Sequence, residues 1–279
     1  MKLADGDSNS ADFFENILDI NYFYNNGVYL FTQLEFSHPP LIGEKKWPSS
    51  DILGNAINIF YIQYSTPKYD LSIGNLYLLY GRGLSMNTFE DQNIDYDNSI
   101  KGIDFTYYLN NKITLQTSFG KTNVKSRTNP ADLIPTLSIE NKVATFGGVL
   151  SLDNLNMHYY SIAYKQAYDY NDINSLLNLT NLLGQYMDRI EPYLSYAKPS
   201  YSMNNFEHNL GLEFTFGPVD FYIETSKVHY NKILGNREEG YKNYFSTYTN
   251  LYGFDLSFEF KDYNTPYLYN TFSTPPIAF

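Results

Sequence analysis

Long runs of strict two-residue alternation constrain this chain more than any other feature of its sequence. In 102–109, Ile103, Phe105, Tyr107 and Leu109 oppose Asp104, Thr106 and Tyr108. In 112–120, Ile113, Leu115 and Phe119 oppose Thr114, Gln116, Ser118 and Gly120. In 209–216, Leu210, Leu212, Phe214 and Phe216 oppose Asn209, Gly211, Glu213 and Thr215. In 219–226, Val219, Phe221 and Ile223 oppose Asp220, Tyr222, Glu224 and Ser226, and in 252–260, Phe254, Leu256, Phe258 and Phe260 oppose Gly253, Asp255, Ser257 and Glu259. A pleated strand sends successive side chains to opposite faces, so each run has one apolar and one polar face.

About twelve strands are expected, at 17–24, 28–36, 57–65, 71–79, 102–109, 112–121, 143–152, 156–165, 190–197, 208–216, 219–227 and 250–260. Most are longer than the roughly 5–6 residues usual in soluble proteins and approach the ~9–11 that cross a bilayer when tilted. Short turns and long connections alternate. The short ones are Asn25-Asn26-Gly27, Thr66-Pro67-Lys68-Tyr69-Asp70, Asn110-Asn111, Asp153-Asn154-Leu155 and Gly217-Pro218, all of them turn chemistry. Long loops are expected at 37–56, 80–101, 122–142, 166–189 and 228–249. Outer-membrane barrels have this rhythm of short periplasmic turns and long external loops, with aromatic girdles such as Tyr107, Tyr108, Phe216 and Tyr252 would form.

Composition supports the same reading. The chain holds 29 Tyr and 20 Phe against one Trp, yet its mean hydropathy is -0.39; aromatic and polar at once implies segregation by face. The expected fold is all-β: an antiparallel up-and-down transmembrane β-barrel. One short helix is expected in a loop at 171–188, where Ile173, Leu176, Leu177, Thr180, Leu183 and Met187 share a face behind an Asn171 or Asp172 cap. Residues 1–16 form an N-terminal polar segment and 17–279 a single barrel domain. A soluble antiparallel sandwich would alternate similarly.

Net charge is -11 with no cysteine. That excludes a basic nucleic-acid footprint, a disulfide scaffold and a cysteine nucleophile. The four histidines, His38, His158, His208 and His229, form no paired ligand spacing, and no nucleophile elbow, P-loop or dinucleotide glycine pattern occurs. No enzymatic activity is expected. Carboxylate pairs for glycoside hydrolysis have no local signal.

The distinctive stretch is Tyr80–Gly102. Gly81-Arg82-Gly83 allows a tight turn around a cation, and Glu90, Asp91, Asp95 and Asp97 follow. Folded into a pore, Arg82 and these carboxylates would form a constriction. Asp91, Asn93, Asp95 and Asp97 also have the alternate spacing of a calcium loop, but Tyr96 and Gly102 replace its required Gly and Glu, leaving only a looser calcium site. No other cofactor is implied. The polar strand faces carry Asp104, Glu213, Asp220, Glu224, Asp255 and Glu259, against Lys165. As a lumen lining they would favour small cationic or neutral solutes. The alternative is a soluble or surface-attached glycan-binding module whose tyrosines stack on sugars.

Gly81-Arg82-Gly83-Leu84, Glu90-Asp91, Asp95-Tyr96-Asp97-Asn98-Ser99 with Gly102, and the later Asn264-Thr265-Pro266 and Thr274-Pro275-Pro276 resemble an uncharacterised family of outer-membrane barrels from Bacteroidota. The resemblance implies an outer-membrane location, lipid as partner and a barrel fold, without an activity. Met1–Ala11 lacks the features of a secretory signal, and Pro275-Pro276 cannot belong to a paired last strand. A chain lacking its signal, truncated at its C-terminus and forming an incomplete barrel, is therefore expected.

Overall fold

The computed structural model describes residues 14–24, 27–38, 57–91, 96–125, 138–168, 202–231 and 237–264. They build one antiparallel sheet of 12 strands in which each strand pairs with the next. These strands are β1 (Phe14–Tyr24), β2 (Val28–His38), β3 (Ile57–Ser65), β4 (Tyr69–Leu76), β9 (Ile100–Tyr108), β10 (Ile113–Lys125), β11 (Ser138–Leu152), β12 (Leu155–Tyr168), β13 (Ser202–Phe216), β14 (Val219–Asn231), β15 (Arg237–Leu251) and β16 (Phe254–Asn264). The four remaining strands have two residues each: β5 (Leu79–Tyr80) pairs with β6 (Met86–Asn87), and β7 (Glu90–Asp91) with β8 (Tyr96–Asp97).

The cross-strand register sorts the side chains into two faces. Phe105 opposes Thr117, which opposes Phe146; Tyr159 opposes Leu210; Phe214 opposes Phe221; Ile223 opposes Phe245, and Phe245 opposes Phe260. These belong to an outward face rich in exposed apolar side chains, including Ile103, Phe119, Phe146, Phe206, Phe216, Phe254 and Phe258. The other face carries Asp104, Ser118, Thr145, His158, Tyr160, Glu207, Asn209, Tyr222, Glu224, Lys242 and Ser246, most of them buried.

The excursion between β4 and β9 covers that polar face. Its Leu78, Tyr80 and Met86, with Leu76 and Ile100 at its ends, pack on Val143, Tyr160, Ile162, Tyr164 and Val228, while Leu84 packs on Tyr222 and Tyr244. Full burial of such side chains stabilises by roughly 1.5–3 kcal/mol each. Tyr80 bonds Ser118 on β10, whereas Arg82, two residues on, bonds Ser246 on β15. A flat sheet would hold those strands ~24 Å apart; the sheet therefore curls around the excursion.

Several expectations need correction. Residues 228–249, expected as a loop, are the end of β14, a short connection and most of β15. The polar alternation in β15 is masked by tyrosines on both faces: Tyr244 and Tyr248 inward, Tyr241 outward. The strand expected at 71–79 ends at Leu76, and that at 250–260 begins only after the Tyr252-Gly253 turn. β1 begins at Phe14, inside the 1–16 polar segment expected to precede the barrel domain. The sheet is open among the described residues, with β1 and β16 as its edges. The strand expected at 190–197 and the helix expected at 171–188 lie outside the described residues.

Candidate functional site: a polar wall closed by an inward segment

The tip of the excursion is Gly81-Arg82-Gly83. Gly81 has φ +58, and a Cβ there would lie 2.6 Å from the His158 ring and from the Tyr222 hydroxyl. Both the left-handed backbone and the contact require glycine. The turn aims the Arg82 N–H at the wall, where it donates to Glu224 Oε2 at 3.1 Å and to Tyr222 Oη at 2.9 Å. The Tyr222 hydroxyl donates to Glu224 Oε2 at 2.6 Å, and Asn209 Nδ2 donates to Glu224 Oε1 at 2.8 Å. His158 Nε2 lies 3.0 Å from Asn209 Oδ1 and 3.8 Å from Glu224 Oε1. Glu224 is 0% exposed, and these donors satisfy a carboxylate that could not otherwise be buried without a large cost.

The Arg82 side chain leaves this centre along the wall. Its Nη1 donates to Ser246 Oγ at 2.6 Å, its guanidinium lies 4.1 Å from the Tyr222 ring centroid, and Nη2 is 3.8 Å from Glu213 Oε1. Stacking on a tyrosine while facing a carboxylate holds a planar cation in a fixed direction.

A second buried pair secures the next residues. Lys242 Nζ lies 2.6 Å from Glu207 Oε1 and donates to the Leu84 carbonyl at 2.8 Å. Ser226 Oγ also donates to Glu207 Oε1, at 2.5 Å. Glu207 and Lys242 are both buried. Toward β10, the Tyr80 hydroxyl bonds Ser118 Oγ at 3.1 Å and Thr145 Oγ1 at 2.5 Å, and its ring stacks on Tyr160 at 3.9 Å between centroids. Burial pushes the Tyr80 phenol up to about 12.

The expected constriction residues divide. Arg82 stands on the wall against β13–β15. Glu90 is half-buried in the β7–β8 pairing, opposite Asp97. Asp97 accepts from the N–H and hydroxyl of Ser99, a local turn that occupies both carboxylate oxygens. Tyr77 feels this pair: its phenol is raised by burial and then by the charges of Asp97 and Glu90. Asp91 pairs with Tyr96 through the backbone; its side chain, Asn93 and Asp95 lie outside the described residues. The four-residue calcium spacing is thus described only at Asp97, where the carboxylate is already engaged. Among the described residues no three His, Cys, Asp or Glu side chains converge as a metal site.

Of the six carboxylates expected to line a lumen, Glu224 does not: it is sealed beneath the Arg82 tip. Asp104 is half-buried and accepts from Ser118 and Gln116. Glu213, Asp220 and Asp255 are exposed, accepting from Asn156, Thr215, and Tyr248 with Asn250 respectively. Glu259 accepts from Tyr244 and lies 3.3 Å from Lys261. The sequence reading missed Tyr80, His158, Glu207, Asn209, Tyr222, Lys242 and Ser246. Glu207 shares the phase of Asn209 and Glu213, so extending that strand by one residue would have found it.

A family of unknown function (DUF6029) matches residues 7–136. No curated protein matches the chain. Among solved structures, it is similar to OmpT, an outer membrane protein of Vibrio cholerae, at 9% identity and a TM-score of 0.45 over 89% of this chain and 80% of that one. It is also similar to an anion-selective porin from Comamonas acidovorans, at 10% identity and a TM-score of 0.38 over 85% and 74% of the two chains. A third similar structure is the outer membrane protein opdK from Pseudomonas aeruginosa, at 7% identity and a TM-score of 0.28 over 91% and 89%.

Proposed function

We propose that this chain forms the wall of an outer-membrane β-barrel, a porin-like channel without catalytic activity, narrowed by its own Leu76–Ile100 segment. One observation carries the reading: the apolar face of the sheet points away from the buried interior. Phe146 is 61% exposed, Phe216 77% and Phe254 72%. Soluble monomers seldom expose contiguous apolar patches of more than a few hundred Å². Here the face runs across the strands, while polar side chains and the buried Lys242–Glu207 ion pair fill the inside. That inversion suits lipid outside and a wet or plugged lumen within.

The lumen of this channel carries Glu213, Asp220, Asp255 and Glu259 as accessible negative charges, with Arg82 projecting against them. Carboxylates along a pore favour cations, so small cationic and neutral solutes are the expected traffic. The decisive experiment has two stages. Detergent-extracted protein should run faster on gels unboiled than boiled. In planar bilayers, the E213Q/D220N/D255N/E259Q variant should lower the cation-to-anion permeability ratio. A detergent-independent soluble species without heat shift would reject the membrane reading and favour a soluble glycan-binding sheet; unchanged selectivity would reject the acidic lumen alone.

A further inference from the structure

Four lysines stand in one row on the outward face. Lys101 of β9 opposes Lys121 of β10, Lys121 opposes Lys142 of β11, and Lys142 opposes Lys165 of β12. All four are exposed. Three of them end the apolar set of their own strand: Lys101 precedes Ile103 and Phe105, Lys121 follows Phe119, and Lys142 precedes Ala144 and Phe146, while Lys165 lies between Ala163 and Ala167. The row spans ~14 Å at the usual strand spacing. It lies toward the strand ends joined by long connections, opposite the tight turns at 109–112 and 153–154.

Like charges directly opposed across a ladder destabilise the pairing. The protein does little to offset this row. Glu140 approaches Lys142 at 3.8 Å, and among the described residues no carboxylate pairs with Lys101, Lys121 or Lys165. On β14–β16, by contrast, Lys227 pairs with Glu239 at 2.9 Å, Lys242 with Glu207 at 2.6 Å and Lys261 with Glu259 at 3.3 Å. In a chain of net charge -11 with 19 basic residues, four cations in register that share one carboxylate call for an anion from outside.

We propose that this row binds the phosphate groups of lipid headgroups at the rim of the apolar band and so fixes the depth of the sheet in the membrane. The inference rests on the membrane reading of the outward face. Long lysine stems lie along apolar surface and lift their ammonium groups to the boundary, where phosphates of adjacent lipids present closely spaced negative charge. A second copy of this chain is a poor occupant, because an identical row would repel it. A soluble polyanion would meet the repulsion of the whole acidic chain, whereas a lipid already held against Phe119 and Phe146 meets the row alone.

The test uses the protein reconstituted in phosphatidylcholine vesicles containing trace spin-labelled phosphatidic acid or spin-labelled phosphatidylcholine. The immobilised fraction of each label reports selectivity at the protein surface. Wild type should prefer the phosphatidic acid probe by about fivefold at low salt. The preference should disappear in K101Q/K121Q/K142Q/K165Q, survive when the four become Arg, and survive in K68Q/K112Q, which removes two positive charges at the tight-turn end. Removing mutual repulsion should leave the Gln variant at least as stable as wild type, which its heat shift on gels will check. An unchanged preference in the Gln variant overturns the proposal. So does loss of an oligomer in that variant, which would assign the row to a second copy. Failure of wild type to insert into either vesicle overturns the membrane reading instead and is seen before any label is compared.

Discussion

The backbone N–H of Arg82 donates to Oε2 of Glu224 at 3.1 Å, across 142 residues of sequence. Main chain, not side chain, thus meets the buried carboxylate, and the guanidinium is left to act elsewhere. Removing that carboxylate should release the tip. Glu224→Ala would orphan the Tyr222 hydroxyl and the Asn209 amide and leave the Arg82 N–H with the Tyr222 oxygen as its acceptor, at about 1–3 kcal/mol for each orphaned donor and less than additively. Trypsin should then cut after Arg82 in the folded variant and leave that bond intact in wild type. Equal resistance of the two would show that apolar packing alone holds the segment.

Gly81→Ala attacks the same tip through geometry. The substitution meets both a φ of +58 and a contact 2.6 Å from the His158 ring. Left-handed backbone costs a residue with a Cβ roughly 1–2 kcal/mol, and overpacking adds about 1–3 kcal/mol. The expected result is tryptic cleavage at Arg82 as in Glu224→Ala, with the sheet itself unaffected by circular dichroism.

How far these contacts were legible in the sequence depends on what reports on them. The clean alternation of β13 and β14 reported the two faces directly, because Leu210, Leu212 and Phe214 are apolar and Asn209, Glu213 and Thr215 are polar. β15 gave no such signal: tyrosine suits lipid boundary and polar interior equally, so Tyr241, Tyr244 and Tyr248 erase the period. Glu213 and Glu224 are indistinguishable by phase, yet one is 51% exposed at its side chain and the other sealed. Which carboxylate is covered is set by where an excursion more than a hundred residues earlier comes to rest. Alternation encodes the face and not the neighbour across it. The acidic run at 90–97 was legible as composition, but its carboxylate at Asp97 serves the local Ser99 turn.

Lys242 and Glu207 form a buried pair at 2.6 Å. Lys242→Met should destabilise by about 3–5 kcal/mol, since it leaves a carboxylate buried without its cation. Combining Lys242→Met with Glu207→Leu should recover most of that loss, because the pair's own desolvation cost vanishes with both charges. Urea unfolding of the two single variants and the double variant measures the coupling; strict additivity would deny the pair.

Tyr80 supplies a pH dependence. Burial raises its phenol from 10.0 to about 12, so the folded state holds this proton more tightly than the unfolded chain. Its contribution to stability is complete below pH 10 and is lost as pH rises toward about 12. Urea midpoints should fall over that window more steeply in wild type than in Tyr80→Phe. The variant should also be weaker at neutral pH by about 1–2 kcal/mol, for the hydrogen bonds lost to Ser118 and Thr145.

Tyr252 adopts φ +52 in the turn between β15 and β16 and is 99% exposed. Its ring contributes no packing there, so Tyr252→Asn, which tolerates this backbone, should stabilise by about 1 kcal/mol. A higher urea midpoint without a change in slope is the expected reading, and a lower midpoint would mean that the ring is held by the membrane boundary.

Arg82→Gln separates the two roles of the tip. The N–H to Glu224 survives the substitution, so trypsin-independent proteases should find the segment as well protected as in wild type. The charge facing Glu213 does not survive. One unit charge ~8 Å from a permeating ion in a wet lumen is worth about 0.5 kcal/mol. Cation and anion shift by that amount in opposite directions, so the cation-to-anion permeability ratio in planar bilayers should rise about fivefold, opposite in sign to the change expected from E213Q/D220N/D255N/E259Q. A rise in conductance with loss of protection would instead mean that the guanidinium, through Ser246 and Tyr222, carries the docking that the backbone geometry assigns to the main chain.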